Sequence, residues 1–175
     1  MSVNVGAWAT PDEKVISITL WGNGIQQEKW LNWYQDVENL MKSLGYKPTH
    51  IGIQSKTFCS GKILTVARKK KDILASIADG EKPSSFSCYS LPKDYRTASF
   101  DYDFLCVRKE EYISIIVKDD DYSKLNNNSV ISKLKDYINY DYGEIYIMSK
   151  KEMPLIYAAT RNLDNIESFS LIEEI

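Results

Sequence analysis

Cysteine occurs three times in 175 residues, at Cys59, Cys88 and Cys106, and histidine once, at His50. An odd, widely spaced set without a CxxC pair gives no disulfide framework. One histidine and no paired cysteines argue against a zinc site. Each cysteine has apolar or small neighbours, so buried, reduced thiols are expected. There is no excess of Lys and Arg, the formal net charge being −2. That balance argues against nonspecific nucleic-acid binding, which needs a clearly basic face. No apolar run approaches the roughly 20 residues that span a bilayer. Met1 to Pro11 lacks a basic start followed by an apolar stretch, so no secretory signal is read there and a cytoplasmic protein is expected.

What is present is ordinary for a folded domain. The hydrophobic fraction of 43% and aromatic fraction of 12% exclude a disordered chain. The length suits a single domain over residues 1–175 with a core that needs no staple. Val15 to Trp21 alternates with β-branched residues and predicts a strand, broken by Gly22-Asn23-Gly24. Steps of three and four between Trp30, Trp33, Tyr34, Val37, Leu40, Met41 and Leu44 predict a helix over Gln26 to Leu44, ended by Gly45. A short strand at Ile51–Gln54 and a helix over Lys62 to Ala78 follow. Strands are then expected at Ser85–Ser90, Phe100–Val107 and Tyr112–Lys118, with Lys109-Glu110-Glu111 as a hairpin turn. Asn126 to Ser129 supplies a loop and N-cap for a third helix through Val130 to Ile138. Glu144–Met148 and Leu155–Ala158 read as closing strands around a Lys150-Lys151 turn. The order β-α-β-α-β-β-β-α-β-β predicts an α+β fold, a mostly antiparallel sheet with about three helices on one face.

Several fragments hint at chemistry and stop short of it. Strand-Gly22-Asn23-Gly24-helix lacks the third glycine of a dinucleotide loop, with Gln26 and Gln27 nearby instead. Ser60-Gly61-Lys62 is followed by Ile63 where a phosphate-binding loop needs Ser or Thr for magnesium. His50 and Cys59 carry no local signature of a thiol hydrolase. Asp101 and Asp103 fall on one face of the predicted strand, where they read either as an acid pair or as a solvated edge. Asp119-Asp120-Asp121 lacks the spacing and glycine of a calcium loop. No cofactor, metal or catalytic residue is assigned, and the chain is not expected to be an enzyme.

Charge is unevenly distributed. Between Lys56 and Lys71 there are six basic residues and no acidic one, and after Arg161 all charges are acidic: Asp164, Glu167, Glu173 and Glu174. Acids in the second half are interleaved with tyrosines. Asp119, Asp120, Asp121, Tyr122, Tyr140, Asp141 and Tyr142 are therefore the candidate partner-binding residues, the carboxylates for steering and the rings for area. The same acids and tyrosines also read as a solvated turn and as core and rim residues of an ordinary sheet.

Tyr142-Gly143-Glu144-Ile145-Tyr146, followed by Pro154-Leu155-Ile156-Tyr157-Ala158-Ala159, resembles segments of certain bacterial immunity proteins. Leu20-Trp21-Gly22 ahead of an amphipathic helix points the same way. The chain is similar to the immunity family numbered fifty-two, whose toxins are often restriction-endonuclease-like nucleases, although no arginine follows Trp21-Gly22. The resemblance implies an α+β inhibitor without catalytic residues. It would bind a cognate toxin domain as a monomer or small homo-oligomer, with no direct nucleic-acid or membrane partner. The alternative is a small ligand-binding or enzymatic domain whose site is assembled from scattered residues.

Overall fold

A computed structural model describes residues 13–23 and 29–175. Its elements are β1 (Lys14–Asn23), α1 (Trp30–Ser43), β2 (His50–Gln54), β3 (Leu64–Thr65), α2 (Val66–Ala78), β4 (Ser85–Ser90), α3 (Ala98–Asp101), β5 (Phe104–Lys109), β6 (Tyr112–Lys118), α4 (Asp119–Tyr122), α5 (Asn127–Leu134), β7 (Asn139–Ser149), α6 (Pro154–Thr160) and β8 (Ser170–Glu174). The strands form one antiparallel sheet in the order β3-β2-β4-β5-β6-β1-β7-β8. The α+β class and the mostly antiparallel sheet agree with the sequence pattern. The element order and the three helices do not, because six helices are present among the described residues.

The central strand shows how the layers arise. Ile16, Ile18 and Leu20 of β1 point to one face and share a core with Trp33, Val37 and Met41 of α1, Ile73 of α2, and Val130 and Leu134 of α5. Val15 and Trp21 point to the other face, with Tyr102, Tyr146, Met148, and Tyr157 and Ala158 of α6. Ser17 and Thr19, also on that second face, are fully buried. Helices thus cover both faces, not one. Ser17 and Thr19 of β1 face a second, smaller core.

The helix predicted from Trp30 onward is present; its expected first residues, Gln26 and Gln27, lie outside the described residues, as does Gly24. Trp30, Trp33, Tyr34, Val37 and Met41 are its buried residues, while Leu40 and Leu44 are only half-buried. Gly45, at φ +84, takes the left-handed conformation that closes the helix. The second helix starts four residues later than expected, at Val66, because Leu64–Thr65 pairs with β2. Asn126 caps α5 as anticipated, accepting a hydrogen bond from the Ser129 amide at 3.1 Å.

Three further expectations are corrected. Phe100 to Asp103 is not strand: Ala98–Asp101 is a helical turn whose Asp101 accepts from the Arg96 and Thr97 amides, and Asp103 pairs with Lys118 at 2.7 Å. Leu155–Ala158 is helix, since Pro154 stands at its first position and Pro154, Tyr157 and Ala158, spaced three and four apart, turn inward together. The closing strand is instead Ser170–Glu174, which pairs with β7. Cys88 and Cys106 are buried opposite each other on β4 and β5, but Cys59 is exposed on a loop. No helix among the described residues is long and apolar enough to cross a membrane.

Candidate functional site

At one end of the sheet the last residues of β1, the β5–β6 turn, the first residues of β7 and the end of α6 enclose a cleft of about 520 Å³. Each border has a local cause. Gly22 is required because a Cβ there would lie 1.9 Å from the Asn139 carbonyl oxygen, across the register shift between Trp21 and Gly22. The Gly22 amide donates to the Glu111 carbonyl at 3.1 Å and ties the β5–β6 turn to β1. Arg161 ends α6 with φ 52, its amide bonded to the Tyr157 carbonyl at 2.7 Å, and this turn places its side chain over the cleft.

The wall of the cleft is aromatic. Trp21 and Tyr142, opposite each other on β1 and β7, stack with centroids 5.8 Å apart and an interplanar angle of 19°. The Trp21 indole N–H donates to the Ala158 carbonyl at 2.6 Å, and Tyr157 meets the indole edge-on. The Arg161 guanidinium lies over both rings, 4.9 Å from Trp21 and 4.6 Å from Tyr142. Behind the wall the Glu144 carboxylate is buried and accepts from the Tyr157 phenol at 2.6 Å and the Tyr142 phenol at 2.8 Å. Burial, then the hydrogen bond to Glu144, pushes the Tyr142 phenol up to about 12. The same two causes raise Tyr157 further. Both phenols therefore stay protonated donors at neutral pH, each directed at the Glu144 carboxylate. Glu110, Glu111 and Asp141 add exposed carboxylates at the rim. Arg161 thus covers the outer faces of Trp21 and Tyr142, and the carboxylates of Glu110, Glu111 and Asp141 beside it could accept a cationic group.

The candidate residues from the sequence divide between the two ends of the sheet. Asp141 and Tyr142 line the cleft, and Tyr140 lies beside them on β7, donating to the Ile175 carbonyl with the Lys135 ammonium 4.5 Å over its ring. Asp119 to Tyr122 form α4 beyond the far end of β6, roughly 20 Å away at strand rise over six steps. Asp119 and Asp120 are exposed there, but Asp121 is buried and accepts from the Tyr46 phenol at 2.7 Å. Tyr122 is half-buried, its hydroxyl accepting from the Asn127 side chain. Trp21, Glu110, Glu111, Arg161 and Tyr157 were not singled out as site residues. Lys109-Glu110-Glu111 was read only as a turn, and the aromatic partners are far apart in sequence.

The weaker motifs do not assemble. The His50 ring nitrogens lie 2.9 Å from the Thr49 hydroxyl and 3.3 Å from the Tyr95 hydroxyl, so the ring is engaged away from Cys59. Among the described residues no group of three His, Cys, Asp or Glu side chains is placed to hold a metal ion. A second, more apolar cavity of about 210 Å³ lies between α1 and α5, with Leu40 and Tyr137 in its wall and Asp36 and Lys133 at its rim. Comparison with protein families, characterised proteins and solved structures finds no match.

Proposed function

We propose that this chain is an immunity-type inhibitor that binds a basic toxin domain through the cleft at the Trp21 end of the sheet. One observation supports this most: the stacked Trp21 and Tyr142 rings stand beside the carboxylates of Glu110, Glu111 and Asp141 on a backbone fixed by β1 and β7. Rigid aromatic rings supply desolvated area, and rim carboxylates steer a cationic surface into place. The toxin need not be a nuclease for this chemistry, but a nucleic-acid-binding surface is basic and so complementary.

The test is a search for a large modular toxin gene immediately upstream of this chain's gene, followed by co-expression with the C-terminal domain of its product. A stable 1:1 complex on size exclusion and restored growth are expected. A folded protein that neither forms the complex nor restores growth contradicts the proposal. A second function, binding of a small apolar ligand, is favoured by the cavity between α1 and α5; it requires thermal stabilisation by small aromatic compounds that Leu40→Trp abolishes.

A further inference from the structure

The outer strand β8 is exposed at every position, unlike most of the sheet. Of the seven exposed large apolar residues among the described residues, four lie between Ile156 and Ile172, and Leu171 and Ile172 on β8 are 44% and 43% exposed. The opposite edge, β3, is only two residues long. Just past β8, Ile175 exchanges both backbone hydrogen bonds with Gly143, so alternation turns the Glu174 N–H and C=O away from β7. Leu171, opposite Tyr146, has the same outward orientation. A register shift between Ile145 and Tyr146 leaves Ile172 unopposed. An edge of this kind is a template for another strand.

We infer that the β8 edge accepts an extended segment of the partner by strand addition, and that the segment is basic. The inference rests on the reading of the cleft as the face of a basic protein. Two observations choose the occupant. All charges after Arg161 are acidic, so a second copy would bring like charges together. The edge also continues into the cleft: the Tyr142 hydroxyl, part of its wall, lies 3.2 Å from a Glu174 carboxylate oxygen. A partner strand along Leu171 to Glu174 would end beside the Trp21–Tyr142 stack. Main-chain bonds would give it affinity, and Glu173 and Glu174 would select its charge.

The experiment needs no identified partner. Backbone amide exchange of the full chain is followed by ¹⁵N NMR with a synthetic peptide of about six residues, alternating valine with lysine. Exchange at Leu171 and Glu174 is expected to slow about tenfold, with core amides unchanged. An acidic peptide of the same pattern should have no effect. Leu171→Pro removes an outward N–H and should abolish protection at Glu174; the wild-type measurement stands by itself if this variant does not fold. Unchanged exchange overturns the inference, as does equal protection by the acidic peptide. Protection that grows with protein concentration alone makes the occupant a second copy and overturns it too. The cleft proposal fails by a separate result, unaltered partner binding by Asp141→Lys, so the two failures are distinguishable.

Discussion

On the face covered by α1, α2 and α5 the buried side chains are almost all hydrocarbon or ring: Ile18, Leu20, Trp33, Met41, Phe86 and Phe104. Among the exceptions is Arg108, whose guanidinium lies 4.0 Å over Trp30 and 5.2 Å over Tyr137; burial pushes it down to about 10, still charged at neutral pH. The face beneath α3 and α6 buries Ser17, Thr19, Ser114, Glu144 and several tyrosines instead. There Thr19 is 2.8 Å from the Ser114 hydroxyl and 2.9 Å from the Tyr146 hydroxyl. The first face is held by area removed from water, about 1.5–3 kcal/mol per large side chain. The second is held by shape and by hydrogen bonds that each add only about 1 kcal/mol but cost more when half broken. The candidate cleft opens from the second face, where the buried Glu144 carboxylate accepts from Tyr142 and Tyr157 just behind the surface. Under the proposed function, stability and recognition are concentrated on opposite sides of one sheet.

The largest expected effect is on the apolar face. Phe86→Ala, at a fully buried ring stacked on Trp30, should cost about 3–5 kcal/mol in urea denaturation. A loss below 1 kcal/mol would erase the contrast between the faces. On the polar face Thr19→Val strands two buried hydroxyls, and the same measurement should show a loss of about 1–3 kcal/mol. Adding Ser114→Ala and Tyr146→Phe should recover part of it, because the polar groups then leave together. If the triple variant is worse by the sum of its parts, the hydroxyls do not act as one network.

Gly22→Ala probes the border of the cleft. A Cβ 1.9 Å from the Asn139 carbonyl forces β1 and β7 apart, for about 1–3 kcal/mol and a disturbed Trp21 fluorescence. An unaltered spectrum would mean that the bulge does not position the ring.

The smallest effect is on pH dependence. Tyr112 and Tyr142 are both pushed up to about 12, chiefly by burial, against about 10 in an unfolded chain. The unfolded chain therefore releases these protons first as pH rises. Stability should be full below about pH 10 and fall toward about pH 12. Tyr142→Phe should make that fall shallower, and an unchanged slope would place the Tyr142 phenol in free solvent.

The apolar face was legible in the sequence because α1 carries a three-four repeat from Trp30 to Met41, which no strand can satisfy. The polar face was not, because Ser17 and Thr19 alternate like solvated residues, and only tertiary pairing shows that they bury each other. Leu155–Ala158 is too short for its period to separate helix from strand, and the proline before it was the stronger signal. Ser170–Glu174 escaped because a fully exposed edge strand has no burial pattern to read. The acid and tyrosine composition pointed to Asp141 and Tyr142 but could not show that α4 lies at the other end of the sheet, or that Trp21 and Arg161 complete the cleft.

The two ends of the sheet give the most direct measurement. Association of the toxin domain captured by co-expression is followed by stopped-flow at low and high salt, for Glu111→Lys/Asp141→Lys and for Asp119→Lys/Asp120→Lys. Reversal at the cleft should slow association about tenfold or more at low salt, with the difference shrinking at high salt, while reversal at α4 leaves the rate near wild type. Slowing by the α4 pair with no effect of the cleft pair would contradict the assignment and move recognition to the far end of the sheet.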